Sequence, residues 1–365
     1  MRHNRWFKVL ALLLPLVLLA AACGDDDDDT NADAGSDTTE TTAADGGDEP
    51  TEGDDAPKIG LVYDLGGRGD QSFNDAAAEG LDQAKTEFGV EAEELEPDEG
   101  GENREELMRL LADEGSGLII GVGFLFADSI TAAAADYPDT RFAIIDSVVE
   151  ADNVASLVFA EHEGSFLVGA AAALKSTTGH IGFIGGVEVD LIKKFEAGYV
   201  AGAKHINPDI TVDVSYITQP PDFAGFNDPA RAKEIATGMY GAGADVVYHA
   251  AGGSGGGLFE AAKEHSEANT QVWAIGVDSD QYNIVDDSLK PYILTSMQKK
   301  VDVAVYDTIS RLVAGEEVGG VVTVYDLAAG GVDYATSGGY VDDISDQLEE
   351  LKAQIIAGDI TVPEA

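Results

Sequence analysis

The sequence predicts an α/β protein with two doubly wound, Rossmann-like lobes and a ligand cleft between them. Two observations carry this prediction. From Lys58 onward, short runs of β-branched and apolar residues alternate with helical patterns, and the alternation begins again near His180. The 308 residues that follow Pro57 are also too many for one compact core and suit two lobes. Strands that alternate with helices pair in parallel through right-handed crossovers.

The first series of elements begins with a buried strand that contains Ile59, Leu61 and Val62. Its third helix ends before Pro138, because proline cannot continue a helix. In chain order, the predicted strands of this series are 58–64, 117–122, 141–146 and 154–159, and its predicted helices are 72–88, 104–114, 127–137 and 164–174.

The second series repeats this order, and a less regular tail follows it. Its predicted strands are 180–185, 211–217, 246–250, 273–277 and 292–296, and its predicted helices are 193–205, 230–241, 256–265 and 301–313. The tail is predicted to contain short strands at 322–327 and 331–334 and a helix at 345–356.

Two half-chains of this kind imply several crossovers between the lobes, which we place near 159–162, 273–278 and 318–324. Lobe 1 is therefore predicted to contain residues 58–160 and 277–320, and lobe 2 residues 161–276 and 321–365. Lobes of this type close about the segments that join them.

The first residues predict export. Three basic residues precede Val9–Ala22, an apolar run of 14 residues that is too short to span a bilayer comfortably. Residues 1–22 are therefore predicted to be a secretory signal peptide. Small residues stand directly before Cys23, which resembles the bacterial lipobox, and lipid on Cys23 would anchor the protein to the outward face of the cell membrane. Ordinary signal cleavage, with Cys23 as an incidental thiol, is the alternative.

Residues 23–57 are predicted to be a disordered tether. Between Gly24 and Pro57 there are 14 acidic residues and no basic residue, with Thr, Ala, Gly and Ser around them. Without large apolar side chains, such a segment cannot offset the entropy of ordering. Repulsion between its charges would extend it and hold the folded part away from the membrane.

The composition of residues 58–365 excludes one class of partner. This part carries 54 acidic and 18 basic residues, a net charge of −36, and the whole chain carries −47. Nucleic acid is therefore not an expected partner.

The loop after the first strand contains the densest group of candidate binding residues. It offers two carboxylates (Asp64 and Asp70), a hydroxyl (Ser72), an aromatic ring (Phe73) and an amide (Asn74). In open α/β sheets, ligands bind beyond the carboxyl ends of the strands, where this loop must lie. The set suits a flat, polyhydroxylated ligand better than a phosphate. Ser72 or Asn74 is expected to cap the helix that follows.

No pattern in the sequence assembles an enzyme, and neither a metal nor a cofactor is predicted. The histidines after the signal have no paired metal spacing, and H-E-x-x-H and G-x-S-x-G are absent. The glycine run 252–257 lacks both the lysine of a P-loop and the dinucleotide spacing. We expect His249, at a strand end, to be a buried and satisfied histidine.

Several short motifs recur in an order typical of one family. They are Asp64 with Asp70-Gln-Ser-Phe-Asn74, Gly-Val-Gly-Phe124, Ile-Ile-Asp146, Gly-Phe226-Asn-Asp228, Gly-Ala-Asp245, Ala-Ala-Gly252-Gly-Ser-Gly-Gly-Gly257, Ile-Gly-Val-Asp278-Ser-Asp-Gln281 and Thr-Ser-Met-Gln-Lys299. Together, from Lys58 to the end, they resemble the basic membrane protein family of lipoproteins, which includes the purine nucleoside receptor. The resemblance implies a type I periplasmic-binding-protein-like fold. It also implies a monomeric substrate-binding component of an ABC importer, with a nucleoside as ligand and with permease and ATPase subunits as partners.

The resemblance also implies roles for site residues. The rings of Phe73 and Phe226 would sandwich a base, and Phe223 competes with Phe226. Asn74 and Asp64 would read base edges, with Ser72 beside them, and Asp146 is a further contact. Asp278 would take two ribose hydroxyls, while Gly252 and Gly253 allow the backbone to approach the sugar. Lys299 would donate to the ribose or balance Asp278, and the adjacent Lys300 is the alternative.

Two other functions remain open from the sequence. One is a surface sensor that reports a small metabolite to a partner without importing it. The other is a nucleoside or sugar hydrolase that uses Asp64 and Asp70 as acid and base.

Overall fold

The computed structural model describes residues 57–365, with the exception of Glu99. The signal peptide (1–22), the lipidation site Cys23 and nearly all of the tether (23–57) lie outside the described residues. The predicted fold class is confirmed, because two mainly parallel six-stranded sheets are each packed between helices. Within the described part, no helix is both long enough and apolar enough to cross a bilayer.

The first sheet has the strand order β11-β5-β4-β3-β1-β2, and all of its pairs are parallel. Its strands are β1 (Ile59–Val62), β2 (Ala92–Leu95), β3 (Leu118–Gly121), β4 (Arg141–Ile145), β5 (Val154–Phe159) and β11 (Val321–Tyr325). The helices of this lobe are α1 (Phe73–Phe88), α2 (Arg104–Asp113), α3 (Ala127–Asp136) and α9 (Val301–Val313).

The second sheet has the order β12-β10-β9-β8-β6-β7, in which only the pair β10–β12 is antiparallel. Its strands are β6 (His180–Val187), β7 (Thr211–Thr218), β8 (Val246–Ala250), β9 (Trp273–Asp278), β10 (Ile293–Lys299) and β12 (Val332–Tyr334). Its helices are α4 (Glu161–Lys175), α5 (Asp190–Ile206), α6 (Pro229–Ala242), α7 (Gly255–Ala268), the short α8 (Gln281–Ile284) and α10 (Ser345–Ile356).

The sheet topology corrects the predicted lobe boundaries. Strand β10 lies in the second sheet, although residues 277–320 were assigned to lobe 1, and β11 lies in the first sheet, although residues 321–365 were assigned to lobe 2. The first crossover, between β5 and α4, lies where it was predicted. The second follows Lys299 instead of lying at 273–278, and the third follows Tyr325. The local sequence of a buried strand does not indicate which sheet the strand joins, because only its long-range pairing assigns it to a lobe.

The three crossovers are joined to one another by hydrogen bonds, two of them between backbone groups. The amide of Ala160 donates to the carbonyl of Tyr325 (3.0 Å), and the amide of Lys300 donates to that of Gly331 (2.9 Å). The carboxylate of Glu163 accepts from the amide of Leu327 at 3.0 Å. The lobes are therefore joined by three segments that are hydrogen-bonded to one another.

Candidate functional site

A cavity lies between the lobes, beyond the carboxyl ends of the strands of both sheets. It contains about 600 Å³ of atom-free space, a volume that includes its open mouth. Its lining includes most of the predicted site residues, namely Asp64, Phe73, Asn74, Asp146, Phe226, Gly252, Asp278 and Lys299. The other lining residues are Leu65, Asp70, Gly123, Phe124, Leu191, Ile192, Phe195, Ala250, Ala251 and Val277.

Aromatic rings from both lobes border the cavity. Phe73 is the first residue of α1 in lobe 1, and Phe226 lies in lobe 2 between β7 and α6. Phe124 of lobe 1 contacts the rings of Phe223 and Phe226 edge-on, with centroids 6.1 and 6.4 Å apart. Phe223 does not line the cavity, so the geometry favours Phe226 as the second ring. A Cβ at Gly186 would meet the Phe226 ring, so Gly186 makes room for that ring.

Asp64 is held by an ion pair that the sequence did not predict. One Nη of Arg104 lies 3.0 Å from the Asp64 carboxylate, and both side chains are largely buried. The same carboxylate accepts from the amide of Leu65. Burial raises the pKa of Asp64, and the charge of Arg104 offsets part of this effect. Asp64 therefore borders the cavity as a carboxylate that already has partners.

Asp70, rather than Ser72 or Asn74, caps α1. Its carboxylate accepts from the backbone amides of Ser72 (2.9 Å), Asn74 (2.9 Å) and Asp75 (3.1 Å). The predicted capping role of Ser72 and Asn74 is therefore wrong. The amide of Asn74 is engaged within the loop, since its oxygen accepts from Asp64 N–H (2.9 Å) and its NH₂ donates to Asp70 (3.0 Å). Asn74 thus braces the loop that carries Asp64.

Asp278 ends β9 and receives a hydrogen bond from the opposite lobe. The hydroxyl of Ser72 donates to one of its carboxylate oxygens at 2.6 Å. The backbone of Asp278 is left-handed (φ 63°), as is that of Asp146 (φ 69°) at the end of β4. Such backbone strain in residues other than glycine is concentrated at functional sites. Burial raises the pKa of Asp278 to about 6, although Lys299 and the Ser72 hydroxyl favour its ionised form.

Lys299 forms a buried ion triad where the chain crosses between the lobes. Its ammonium group lies 2.6 Å from the carboxylate of Asp146 in lobe 1 and 3.2 Å from that of Glu161, the first residue of α4. The Lys299 side chain is 2% exposed. Burial alone would lower its pKa, but Asp146, Glu161 and Asp278 outweigh burial and raise it. Burial also raises the pKa of Glu161 to about 7, against the effect of Lys299.

The remaining predicted residues lie at or near the cavity. Gly252 lines it and has φ 54°, a left-handed value that glycine adopts without strain. Gly253 lies beside Asn227 and Asp70 and does not line the cavity. Lys300 precedes α9 and is likewise absent from the lining, so the geometry favours Lys299 over Lys300. Ser72 reaches the site through its bond to Asp278.

Sequence reasoning missed several residues of this region. Glu161 carried a signal, because an acidic residue directly after an apolar strand opens a helix there. Phe124 was noticed only as part of a turn motif. Arg104 and Phe195 gave no signal, since each looked like an ordinary helix residue until tertiary packing placed it. In the described part of the chain, no group of three His, Cys, Asp or Glu side chains has an arrangement that could hold a metal ion.

Comparison with known families gives a match that covers the whole described part. Residues 56–365 match the family model Bmp, described as ABC transporter substrate-binding protein PnrA-like. The ABC transporter nucleoside-binding protein BmpA of Lactococcus lactis is 37% identical over 318 residues, covering 84% of this chain and 89% of that protein. Basic membrane protein A of Borreliella burgdorferi is 34% identical over 317 residues, covering 85% of this chain and 89% of that protein.

Solved structures agree in fold. An ABC transporter solute-binding protein from Aeropyrum pernix superposes with a TM-score of 0.74 at 29% identity, covering 85% of this chain and 94% of that one. An arabinose-binding protein from Geobacillus stearothermophilus superposes with a TM-score of 0.56 at 14% identity, covering 81% of this chain and 99% of that one, which supports the fold alone.

Proposed function

Because the chain belongs to the Bmp family of ABC transporter substrate-binding proteins, we propose that it binds a nucleoside, specifically a purine nucleoside, in the cleft between its lobes. The main support for this proposal is that two aromatic rings and a carboxylate border the same cavity. Phe73 and Phe226 come from opposite lobes, and Asp278 borders the same space. The name of the Lactococcus relative, a nucleoside-binding protein, supports the same ligand class.

The chemistry of the cavity fits each part of a nucleoside. A flat base gains roughly 1–3 kcal/mol from stacking on an aromatic side chain. The two ring-bearing segments belong to different lobes, so stacking would draw the lobes together. Ribose hydroxyls donate hydrogen bonds, and Asp278 offers a buried acceptor for them. Among the lining residues, Lys299 is the only one with a positively charged side chain, and the carboxylates of Asp146 and Glu161 already neutralise that charge. The cavity therefore favours an uncharged riboside over a phosphorylated one.

The proposed setting follows from the family and from the N-terminus. An ABC permease and its ATPase would receive the ligand from the closed lobes. Lipid on Cys23 would anchor the protein to the outward face of the membrane, with the acidic tether as a spacer, and the protein would act as a monomer. The hydrolase interpretation gains no support, because Asp64 is paired with Arg104 and Asp70 caps a helix.

Titration calorimetry tests the ligand class directly. The purified protein is titrated with adenosine, guanosine, inosine and uridine, with the free purine bases, and with the corresponding monophosphates. We expect purine ribosides to bind at least tenfold more tightly than uridine, the bases or the monophosphates. If no riboside binds, or if a monophosphate binds as tightly as its riboside, the proposal is wrong.

The variant Asp278→Asn should distinguish contacts to the sugar from contacts to the base. Asparagine tolerates the left-handed backbone at this position but removes the charge that strengthens hydrogen bonds from ribose. A hydrogen bond to a charged group contributes roughly 1.5–3 kcal/mol, so riboside affinity should fall at least tenfold. The affinity of the free base should change less than twofold. Equal losses for riboside and base would show that Asp278 does not hold the sugar.

The same carboxylate should make riboside binding depend on pH. The pKa of Asp278 is raised to about 6, and hydroxyl donors favour its ionised form. Binding therefore releases a proton below about pH 6, and affinity rises with pH until it levels off above that value. Asp278→Asn should remove this component of the profile. Any slope that remains in the variant would report another group, such as Glu161.

A further inference from the structure

Beside the cavity, a second set of contacts joins the lobes without bordering the ligand space. Gln71 and Ser72 of lobe 1 face Ser279 and Gln281 of lobe 2. The side-chain NH₂ of Gln281 donates to the backbone carbonyl of Gln71 at 2.8 Å, and the Ser279 hydroxyl contacts the carbonyl of Ser72 at 3.3 Å. Neither Gln71 nor Gln281 lines the cavity.

The amide of Gln281 is fixed in one orientation. Its oxygen accepts from the backbone N–H of Val277 at 2.9 Å, which requires the oxygen on that side and directs the NH₂ toward lobe 1. The same oxygen lies 3.0 Å from Nε2 of His249. Burial lowers the pKa of His249 to about 4, so the neutral ring donates through Nε2. The Gln281 side chain is 1% exposed, and therefore water does not replace these partners.

The acceptor on lobe 1 is equally fixed. Gln71 has a left-handed backbone (φ 55°), and its amide donates to the carboxylate of Asp75 at 3.0 Å. Its own side chain is exposed to solvent. The contact with Gln281 thus depends on the main chain of Gln71 and not on its side chain.

We propose that Gln281 is a positioning residue that stabilises the closed arrangement of the lobes and thereby sets how long the ligand stays bound, without touching the ligand. This inference rests on the proposed function of ligand binding in the cleft. Opening the lobes breaks the bond between Gln281 and Gln71, while the bonds from Val277 and His249 remain within lobe 2. A ligand enclosed by both lobes leaves only after such an opening. Gln281 therefore affects release more than entry.

The variant Gln281→Glu removes the donor to lobe 1 and puts a negative charge in its place. It keeps an oxygen that accepts from Val277 and His249, and at pH 8 it places a carboxylate oxygen against the carbonyl of Gln71. One hydrogen bond corresponds to roughly a fivefold change in an equilibrium constant, and the new repulsion adds to it. In stopped-flow experiments with inosine, we expect the dissociation rate to rise at least tenfold and the association rate to change less than twofold.

Two further variants separate the contact from general disturbance of the fold. Gln71→Gly keeps the backbone carbonyl and suits a positive φ, so its dissociation rate should stay within twofold of the unmodified protein. Gln281→Met deletes every side-chain hydrogen bond at this position and should also release inosine faster. Unchanged dissociation rates in both Gln281→Glu and Gln281→Met would overturn the proposal.

Closure can also be measured without ligand, which keeps this inference distinct from the proposed function. Cys23 is the only cysteine, so Cys23→Ser leaves no native thiol. Fluorophores on Thr86→Cys in α1 and Thr237→Cys in α6, both exposed, then report the separation of the lobes by energy transfer. We expect Gln281→Glu to raise the open-to-closed ratio at least threefold. If no nucleoside binds but this ratio shifts, the proposed function fails and the role of Gln281 in closure stands. An unshifted ratio contradicts that role.

Discussion

Replacing Phe73 by alanine is expected to weaken nucleoside binding by at least tenfold. Phe73 opens α1 and borders the cavity from lobe 1. Removal of its ring deletes one stacking partner, worth roughly 1–3 kcal/mol per base. The ammonium of Lys299 lies 5.2 Å from the centre of the same ring, within the range of a cation–π contact. Calorimetry with inosine measures the loss.

Two further variants serve as controls for this experiment. Phe73→Leu fills much of the same volume without an aromatic face, so it should bind nearly as weakly as Phe73→Ala. Phe223→Ala removes a phenyl ring that touches Phe124 but does not line the cavity, and its affinity should fall less than twofold. Unchanged affinity in Phe73→Ala would show that the base is not stacked between Phe73 and Phe226. A large loss in Phe223→Ala would show that Phe223, and not Phe226, is the second ring.

Replacing Lys299 by methionine should have the largest effect on stability. The substitution leaves the carboxylates of Asp146 and Glu161 buried without their common cation. Removal of one partner of a buried ion pair costs about 3–5 kcal/mol, because the remaining charge has lost its buried counter-ion. Urea unfolding followed by circular dichroism should show a lower midpoint with little change in the slope.

The neighbouring lysine supplies the control. Lys300 is partly exposed and contributes its backbone amide to the crossover, so Lys300→Met should change the free energy of unfolding by less than about 1 kcal/mol. Adding Glu161→Gln to Lys299→Met removes one of the two buried negative charges and should recover part of the loss. A Lys299→Met protein as stable as the unmodified one would mean that the triad contributes nothing net to folding.

Local patterns were enough to predict most of the elements. The strand at 246–250 and the helix at 301–313 have their predicted bounds, because a buried strand and an amphipathic helix each leave a periodic pattern in the sequence. Strand β2 was not predicted, since Ala-Glu-Glu-Leu shows neither alternation nor β-branched residues. It forms at the edge of the sheet, where pairing with β1 stabilises a strand that its own residues do not favour.

The site could be predicted as far as its residues follow strand ends. Asp64, Asp146 and Asp278 all lie at or just beyond the carboxyl ends of parallel strands and border one cavity. Their partners could not be predicted in this way. Arg104 reaches Asp64 from 40 residues away, and Lys299 joins Asp146 across the cleft, so neither pairing leaves a mark in the local sequence. The same holds for Ser72, whose hydroxyl bonds Asp278 instead of capping its own helix.

The left-handed backbone at Asp146 and Asp278 limits which substitutions can be interpreted at the cavity. At such a position, alanine or a β-branched residue adds a conformational cost of about 1–2 kcal/mol. An alanine scan would wrongly attribute that cost to the loss of the carboxylate. Asparagine and glycine avoid the confusion, since both accept this geometry. For the same reason, a mutant library intended to change ligand preference would yield folded proteins at these two positions mainly with Asp, Asn or Gly. New specificity would then have to come from the surrounding aromatic and aliphatic side chains.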